Sequence, residues 1–231
     1  MSPALYYPEN SFIFMNLEMV LSSMGEILKK TLIIATRNKG KTREIENILK
    51  DFPVIIKNLD DFGPIPEVEE DGDTFDDNAY KKSSFTARVL GYPALADDSG
   101  LVVEALNGEP GVWSARYAGA NATDQENLEK LLKEIKYKDN KKASFKCVLS
   151  LAVPTGAALT YEAGCDGLIV PEPAGDNGFG YDPVFYYPEY DKTFAQLTMD
   201  EKARVSHRGK ALKELASEFD KVLEWIDIHM P

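Results

Sequence analysis

The stretch from Thr31 to Lys50 restricts the fold of this chain more than any other. Thr31-Leu-Ile-Ile-Ala-Thr36 is β-branched and apolar, the pattern of a short buried strand. Arg37-Asn38-Lys39-Gly40 is turn-like, and Lys41 to Lys50 places Ile45, Ile48 and Leu49 at helical spacing. A strand, a glycine–lysine turn and a helix in succession aim backbone N–H groups and a helix N-terminus at one point, an arrangement that suits a phosphate. Lys39 and Lys41 add charge there, and Thr36 and Asn38 add hydrogen-bonding groups. The same residues come close to the P-loop pattern as Ala35-x4-Gly40-Lys41-Thr42, with alanine where the first glycine belongs. Taken alone, the two lysines equally suit a solvated helix start.

Charge narrows the partners. A net charge of -12 over 231 residues argues against nucleic acid, which demands a broad basic surface. It leaves room for a small anion, because a local lysine cluster or a metal ion reverses the field nearby. Cys147 and Cys165 have no zinc-like spacing and are too few for a disulfide framework, so buried reduced thiols in a cytoplasmic protein are expected. No apolar run approaches the length of a membrane span. Residues 1 to 30 lack the basic start and compact apolar run of a signal peptide. Phe12 to Leu28 would make a poor amphipathic helix, and Met15, Met19 and Met24 offer later starts. This segment is expected to be an extension, disordered or weakly helical, ahead of one domain from residue 31 to 231.

Carboxylates supply the chemistry. In Leu95-Ala-Asp-Asp-Ser-Gly-Leu101, extended geometry sends Asp97 and Asp98 to opposite faces, so they cannot share one role. At a strand end, one would face a cleft while the other anchors a turn through Ser99-Gly100; an Asx-type turn with no further role is the plainer reading. A cleft carboxylate holds a hard metal ion or takes a proton from water. The acidic loop from Asp60 to Gly72 carries Glu67, Glu69, Glu70 and Asp71. It reads as a solvated charge run, yet one of these with Asp98 would suffice for magnesium. Thr74-x-x-Asp77 resembles a capping box and opens a helix from Phe75 to about Leu90. Its Lys81 and Lys82 diverge, so one can turn towards a phosphate.

Further on, Trp113, Arg116 and Tyr117 suit either packing or an interface. Thr123-Asp-Gln-Glu126 caps a helix taken as scaffold. Ala143 to Val153, Pro154-Thr-Gly156 and Ala157 to Ala163 form a hairpin pattern. The loop from Pro173 to Pro183 carries Phe179 among glycines, either as a base-stacking platform or tucked into the core. Thr198-x-x-Glu201 caps a short helix with Lys202 and Arg204. His207 and Arg208 open a long closing helix, a poor place for cations on dipole grounds that a ligand or Asp182 would offset.

Thr36-x-Asn38-x-x-Lys41, Ala96-Asp-Asp-Ser-Gly-Leu101, Gly111-x-x-Ser-Ala-Arg-Tyr117, Gly178-Phe-Gly-Tyr-Asp-Pro183 and Ser206-His-Arg-Gly209 stand in this order. The ordered set resembles the inosine triphosphate pyrophosphatase family, over about residues 31 to 217. The resemblance implies an α/β fold with an elongated mixed β-sheet core flanked by helices. It further implies two lobes with an active-site cleft between them, usually in a homodimer. The implied reaction takes ITP, dITP or XTP to the monophosphate and pyrophosphate with Mg2+. By motif, Thr36, Arg37, Asn38, Lys39, Gly40 and Lys41 would cradle the phosphates. Asp98 would be general base and metal ligand, with Glu69 the second ligand and Glu70 the alternative, and Lys82 would neutralise phosphate charge. Ser99 would touch the nucleotide. Phe179, next to Gly180, would stack on the base, while Tyr181, Asp182, Lys202, His207 and Arg208 would line its edge and the phosphates. Asp77 departs from the family, standing where glutamate is common.

This chemistry is self-consistent. Attack of water on the α-phosphorus puts charge on phosphate oxygens, which magnesium and lysines stabilise while a carboxylate takes the proton. Donors from the His207–Arg208 turn favour a 6-oxo purine over adenine. Guanine shares the 6-oxo group and must be excluded elsewhere. Two other classes compete: a P-loop NTPase or kinase, which leaves Phe179 and His207 without a role, and a non-catalytic nucleotide binder, which predicts a missing carboxylate where Asp98 and Glu69 stand.

Overall fold

The computed structural model describes residues 29–66 and 68–230; the N-terminal helix expected at Phe12 to Leu28, and Glu67, lie outside them. β1 (Lys30–Ile34) is the expected buried strand, with Leu32, Ile33 and Ile34 inaccessible. α1 (Lys39–Leu49) turns Ile45 and Leu49 into the core. Asn38 caps it: its side-chain oxygen accepts from the backbone N–H groups of Gly40 (2.9 Å) and Lys41 (3.1 Å). Two of the donors that the sequence offers to a phosphate are therefore already engaged within the protein. β2 (Val54–Asn58) lies parallel to β1. α2 (Phe75–Leu90) starts at the Thr74 cap and stops at Gly91, whose left-handed backbone (φ 74°) closes it.

β3 (Ala94–Val103) departs from expectation. Asp97-Asp98-Ser99-Gly100 is neither a strand end nor a turn, because the strand runs through it for ten residues. Its antiparallel ladder with β4 (Lys142–Ala152) extends from Ala94↔Ala152 to Val103↔Ala143 and satisfies the backbone groups a turn would otherwise close. Gly100 serves close packing instead: a Cβ there would stand 2.3 Å from the Gly111 carbonyl oxygen.

β1 pairs in parallel with β3 only at Ile33↔Ala94 and Ile34↔Leu95. From Asp97 onwards β3 outruns its parallel neighbour, and the chain after β1 turns away through Thr36 to Asn38. A crevice opens there, at the C-terminal ends of the parallel strands, where α/β sheets bind ligands. β5 (Ala158–Ile169) returns antiparallel to β4, running past the expected end at Ala163, and β6 (Phe185–Tyr187) and β7 (Lys192–Thr193) complete the sheet. The order β2-β1-β3-β4-β5-β6-β7 makes it a mixed seven-stranded sheet.

α3 (Asp124–Ile135) and α4 (Met199–Val205) begin with the expected capping boxes. The expected single closing helix is two: α5 (His207–Ser217) and α6 (Phe219–His229), broken at Glu218 (φ -115°, ψ 16°). The break turns Phe219 onto Phe52, with ring centroids 4.5 Å apart, and brings Val222 and Ile226 to the core. One core cluster gathers Leu101, Phe145, Phe185 and Phe194 with Leu131 of α3. Another gathers Leu32, Ile45, Leu95 and Leu149 with Leu212 and Phe219. Each side chain of this size contributes about 1.5–3 kcal/mol when fully buried. The sheet and its flanking helices form an α/β fold, and the crevice runs along β3.

Candidate active site

The crevice is a cavity of about 380 Å3, and its walls come from every motif singled out in the sequence. Thr36, Arg37, Asn38 and Lys41 line it from the β1–α1 turn, Lys82 from α2, and Asp98 and Ser99 from β3. Phe179, Gly180, Tyr181 and Asp182 line it from the loop before β6, and Lys202, His207 and Arg208 from α4 and α5. Lys39, Gly40 and Glu69 are not on its surface. Lys39 and Glu69 are exposed, and Gly40 sits behind the Phe179 ring.

One end is built from carboxylates and lysines. α2 sends Lys81 outward to Asp71 (2.6 Å) and Lys82 inward to Asp98 (2.7 Å) and Glu70 (3.4 Å). Burial raises the Asp98 carboxyl above its ordinary range, and the nearby lysine charges offset only part of that. Glu70, rather than Glu69, faces the cavity. The Arg116 guanidinium fixes that loop by donating to the Glu70 carbonyl (2.5 Å) while stacking on Trp113 (4.4 Å).

Asp97 faces the other way, as alternation along the strand requires, but it organises side chains rather than a turn. It receives Lys41 (2.5 Å), Arg208 Nε (2.8 Å), the Ser99 hydroxyl (2.9 Å) and the Cys147 thiol (3.0 Å). Burial alone would raise its pKa; Arg208 and Lys41 outweigh that and hold it well below the usual carboxylate range.

The other end is aromatic and cationic. Arg208 also reaches Glu44 and Ser99 Oγ (2.8 Å), and Lys202 bridges Glu44 (2.7 Å) and Asp182 (2.6 Å). Asp182 therefore serves Lys202, not the His207–Arg208 helix start; Asp97 and Glu44 balance Arg208. Asp182 also accepts the Phe179 N–H (2.9 Å), and the Lys202 ammonium stands 4.8 Å from the Phe179 ring centroid. Phe179 is half-buried, forming a wall of the cavity instead of entering the core. His207 stacks on Phe145 (4.6 Å, 12°), and its Nδ1 is the one buried side-chain nitrogen or oxygen among the described residues without a hydrogen-bond partner. Burial and the neighbouring Arg208 push its pKa well down, so the ring is neutral. The Nδ1 itself is sealed from solvent, so it is the rest of the His207 ring that meets the cavity.

Among the described residues no three His, Cys, Asp or Glu side chains converge as a metal cage. Asp98 and Glu70, from separate segments, nevertheless converge on one cation position, now held by the Lys82 ammonium. Magnesium binds through one or two carboxylates and keeps waters, so this oxygen donor pair fits it.

Sequence reading missed Glu44 and the roles of Asp97 and Arg116. Glu44 had a faint signal: it sits beside Ile45 and one turn before Ile48, at the margin of the apolar face of α1.

The model of the Ham1 family matches residues 32–218. A protein of Syntrophobacter fumaroxidans named dITP/XTP pyrophosphatase is 64% identical over 195 residues, 84% of either chain. One of Bacillus cereus with the same name is 46% identical over 200 residues, 85% of this chain and 96% of that one. The Ham1 protein of Staphylococcus aureus has a structure that superposes with a TM-score of 0.74 at 41% identity, covering 83% of this chain and 99% of its own. That of Coxiella burnetii gives 0.76 at 41% identity with the same coverage. The chain belongs to the Ham1 family.

Proposed function

We propose that this protein hydrolyses ITP, dITP and XTP to the nucleoside monophosphate and pyrophosphate, removing these nucleotides from the pool. The observation that carries the reading is the single cavity with two unlike ends: a carboxylate–lysine end around Asp98, and an aromatic end with an unpartnered His207. The names of the relatives agree with it.

At the first end, Asp98 accepts the proton of the water that attacks the α-phosphorus; its raised pKa makes it a better base than an exposed aspartate. Lys82 and Lys41 stabilise the charge that gathers on the phosphate oxygens. Asp98 and Glu70 would hold magnesium, which would neutralise further phosphate charge. At the second end, Phe179 covers one face of the base. The neutral His207 and Arg208 supply donors to a 6-oxo group, which adenine leaves unpaired at a cost of kilocalorie size. Exclusion of GTP requires crowding at its 2-amino group.

The finer expectations belong to the same proposal. Residues 31 to 231 form one two-lobed unit with the active-site cleft between the lobes. It acts as a homodimer in the cytoplasm, where the free buried thiols of Cys147 and Cys165 stay reduced. No described helix is long and apolar enough to cross a membrane. Pyrophosphate release from ITP, XTP, dITP, GTP and ATP is the deciding assay. Rapid release from the first three and little from the last two is expected, whereas orthophosphate release would point to γ-phosphate chemistry and sink the reading.

A further inference from the structure

We propose that Asp124 is a positioning residue that latches the Phe179 loop across the cleft, and so sets the plate on which the base rests. The inference rests on the reading above for what the plate does, but the latch itself stands on geometry. α3 is capped without Asp124: Thr123 and Glu126 close the capping box, with the Thr123 N–H and hydroxyl both donating to Glu126 (2.7 and 2.9 Å). The Asp124 carboxylate lies on the cavity wall and accepts the Gly180 N–H at 2.8 Å, across 56 residues of sequence.

The receiving loop needs such a contact. Phe179 lies between Gly178 (φ 78°) and Gly180 (φ 60°), two residues whose backbone resists displacement little. The Phe179 N–H is taken by Asp182, which Lys202 holds in turn (2.6 Å), anchoring the turn on its Asp182 side. The Gly180–Tyr181 side is held from across the cleft, by Asp124 on Gly180 and by the Ser114 carbonyl accepting from the Tyr181 hydroxyl (2.9 Å). Of these, the Asp124 contact is the one adjoining Phe179. Asp124 is exposed, so replacing it leaves the core intact.

The test is a double-mutant cycle on steady-state ITP hydrolysis with D124A, D124N, F179A and D124A/F179A. D124A is expected to raise KM about three- to tenfold, with kcat within about twofold. D124N keeps an acceptor oxygen while losing the charge at the helix start, and is expected near wild type. In the F179A background, D124A is expected to add nothing, because its effect passes through Phe179. Amide exchange over residues 178–181 is expected to quicken in D124A and not in D124N. An additive loss in the F179A background, D124N as impaired as D124A, or unchanged exchange in D124A would each overturn the latch. A wild type that releases no pyrophosphate from ITP defeats the functional reading instead, and the exchange experiment still decides the latch.

Discussion

Gly40→Ala separates stability from activity with opposite signs. Gly40 lies in the first turn of α1 with ordinary helical backbone, so alanine is conformationally welcome there. Helix propensity favours it by up to about 1 kcal/mol, less at the helix end than in the middle. The added methyl would stand 2.4 Å from Phe179 Cδ1 and 2.7 Å from Cε1, where ordinary contact begins at 3.4 Å. The α1 backbone is fixed by the Asn38 cap and the buried Ile45 and Leu49, so the ring yields, by about 1 Å. Base–aromatic stacking is worth about 1–3 kcal/mol. Its loss predicts a fall in kcat/KM for ITP of roughly 5- to 150-fold, mainly through KM. Thermal unfolding would meanwhile stay level or rise by up to a few degrees. The assay is steady-state pyrophosphate release beside calorimetry on the same preparation. Activity within twofold of wild type, in a variant that melts no lower, would refute the stacking role of Phe179.

Other expectations follow from the charges. Asp98→Asn is expected to lower kcat by about 10²–10⁴-fold in the pyrophosphate assay, the usual value of a general base. In the wild type, the acid limb of kcat/KM should fall above the ordinary aspartate value of 3.8, since the Asp98 pKa is raised. Asp97→Asn leaves Lys41 and Arg208 short of a buried counter-charge and should cost about 3–5 kcal/mol in urea unfolding at pH 7. Because the folded Asp97 pKa is depressed, its contribution is present above the ordinary carboxylate range and vanishes on strong acidification. His207 is depressed in pKa, so the unfolded chain takes up its proton first as pH drops below 6.5. Stability should therefore decline by about 1.4 kcal/mol per pH unit below that point, and His207→Gln should remove that component of a pH 5 to 7.5 unfolding series.

Local chemistry is what the sequence displayed. The β1–turn–α1 unit, the capping boxes at Thr123 and Thr198, the divergence of Lys81 from Lys82, and the opposed faces of Asp97 and Asp98 each depend on neighbours within a few residues. What stayed hidden depends on partners far along the chain. Glu44 reads as one more charge on an amphipathic helix until Lys202 and Arg208 arrive from 158 and 164 residues away. The Asp-Asp-Ser-Gly stretch has turn chemistry, and only its ten-residue ladder with β4 overrides it. The run of apolar residues through the C-terminal helices masked the break at Glu218, because a helix can bend at one residue without disturbing its periodicity. The sequence favoured Glu69 over Glu70, and only the Lys82 contact from the distant helix shows that Glu70 turns to the cavity.

The cations of the cleft have a kinetic consequence. Lys41, Lys82, Lys202 and Arg208 each rest against a carboxylate of the protein, on a chain whose net charge is -12. Such a site projects little positive potential, so a nucleoside triphosphate arrives without electrostatic steering, and added salt should not slow its capture. ATP and ITP carry the same triphosphate charge, so they enter with similar rate constants, and arrival does not discriminate between them. Entry then requires Lys41 and Lys82 to share their carboxylate partners with phosphate oxygens. That sharing is complete only when the base is seated at the far end, so discrimination is exercised in how quickly a nucleotide leaves.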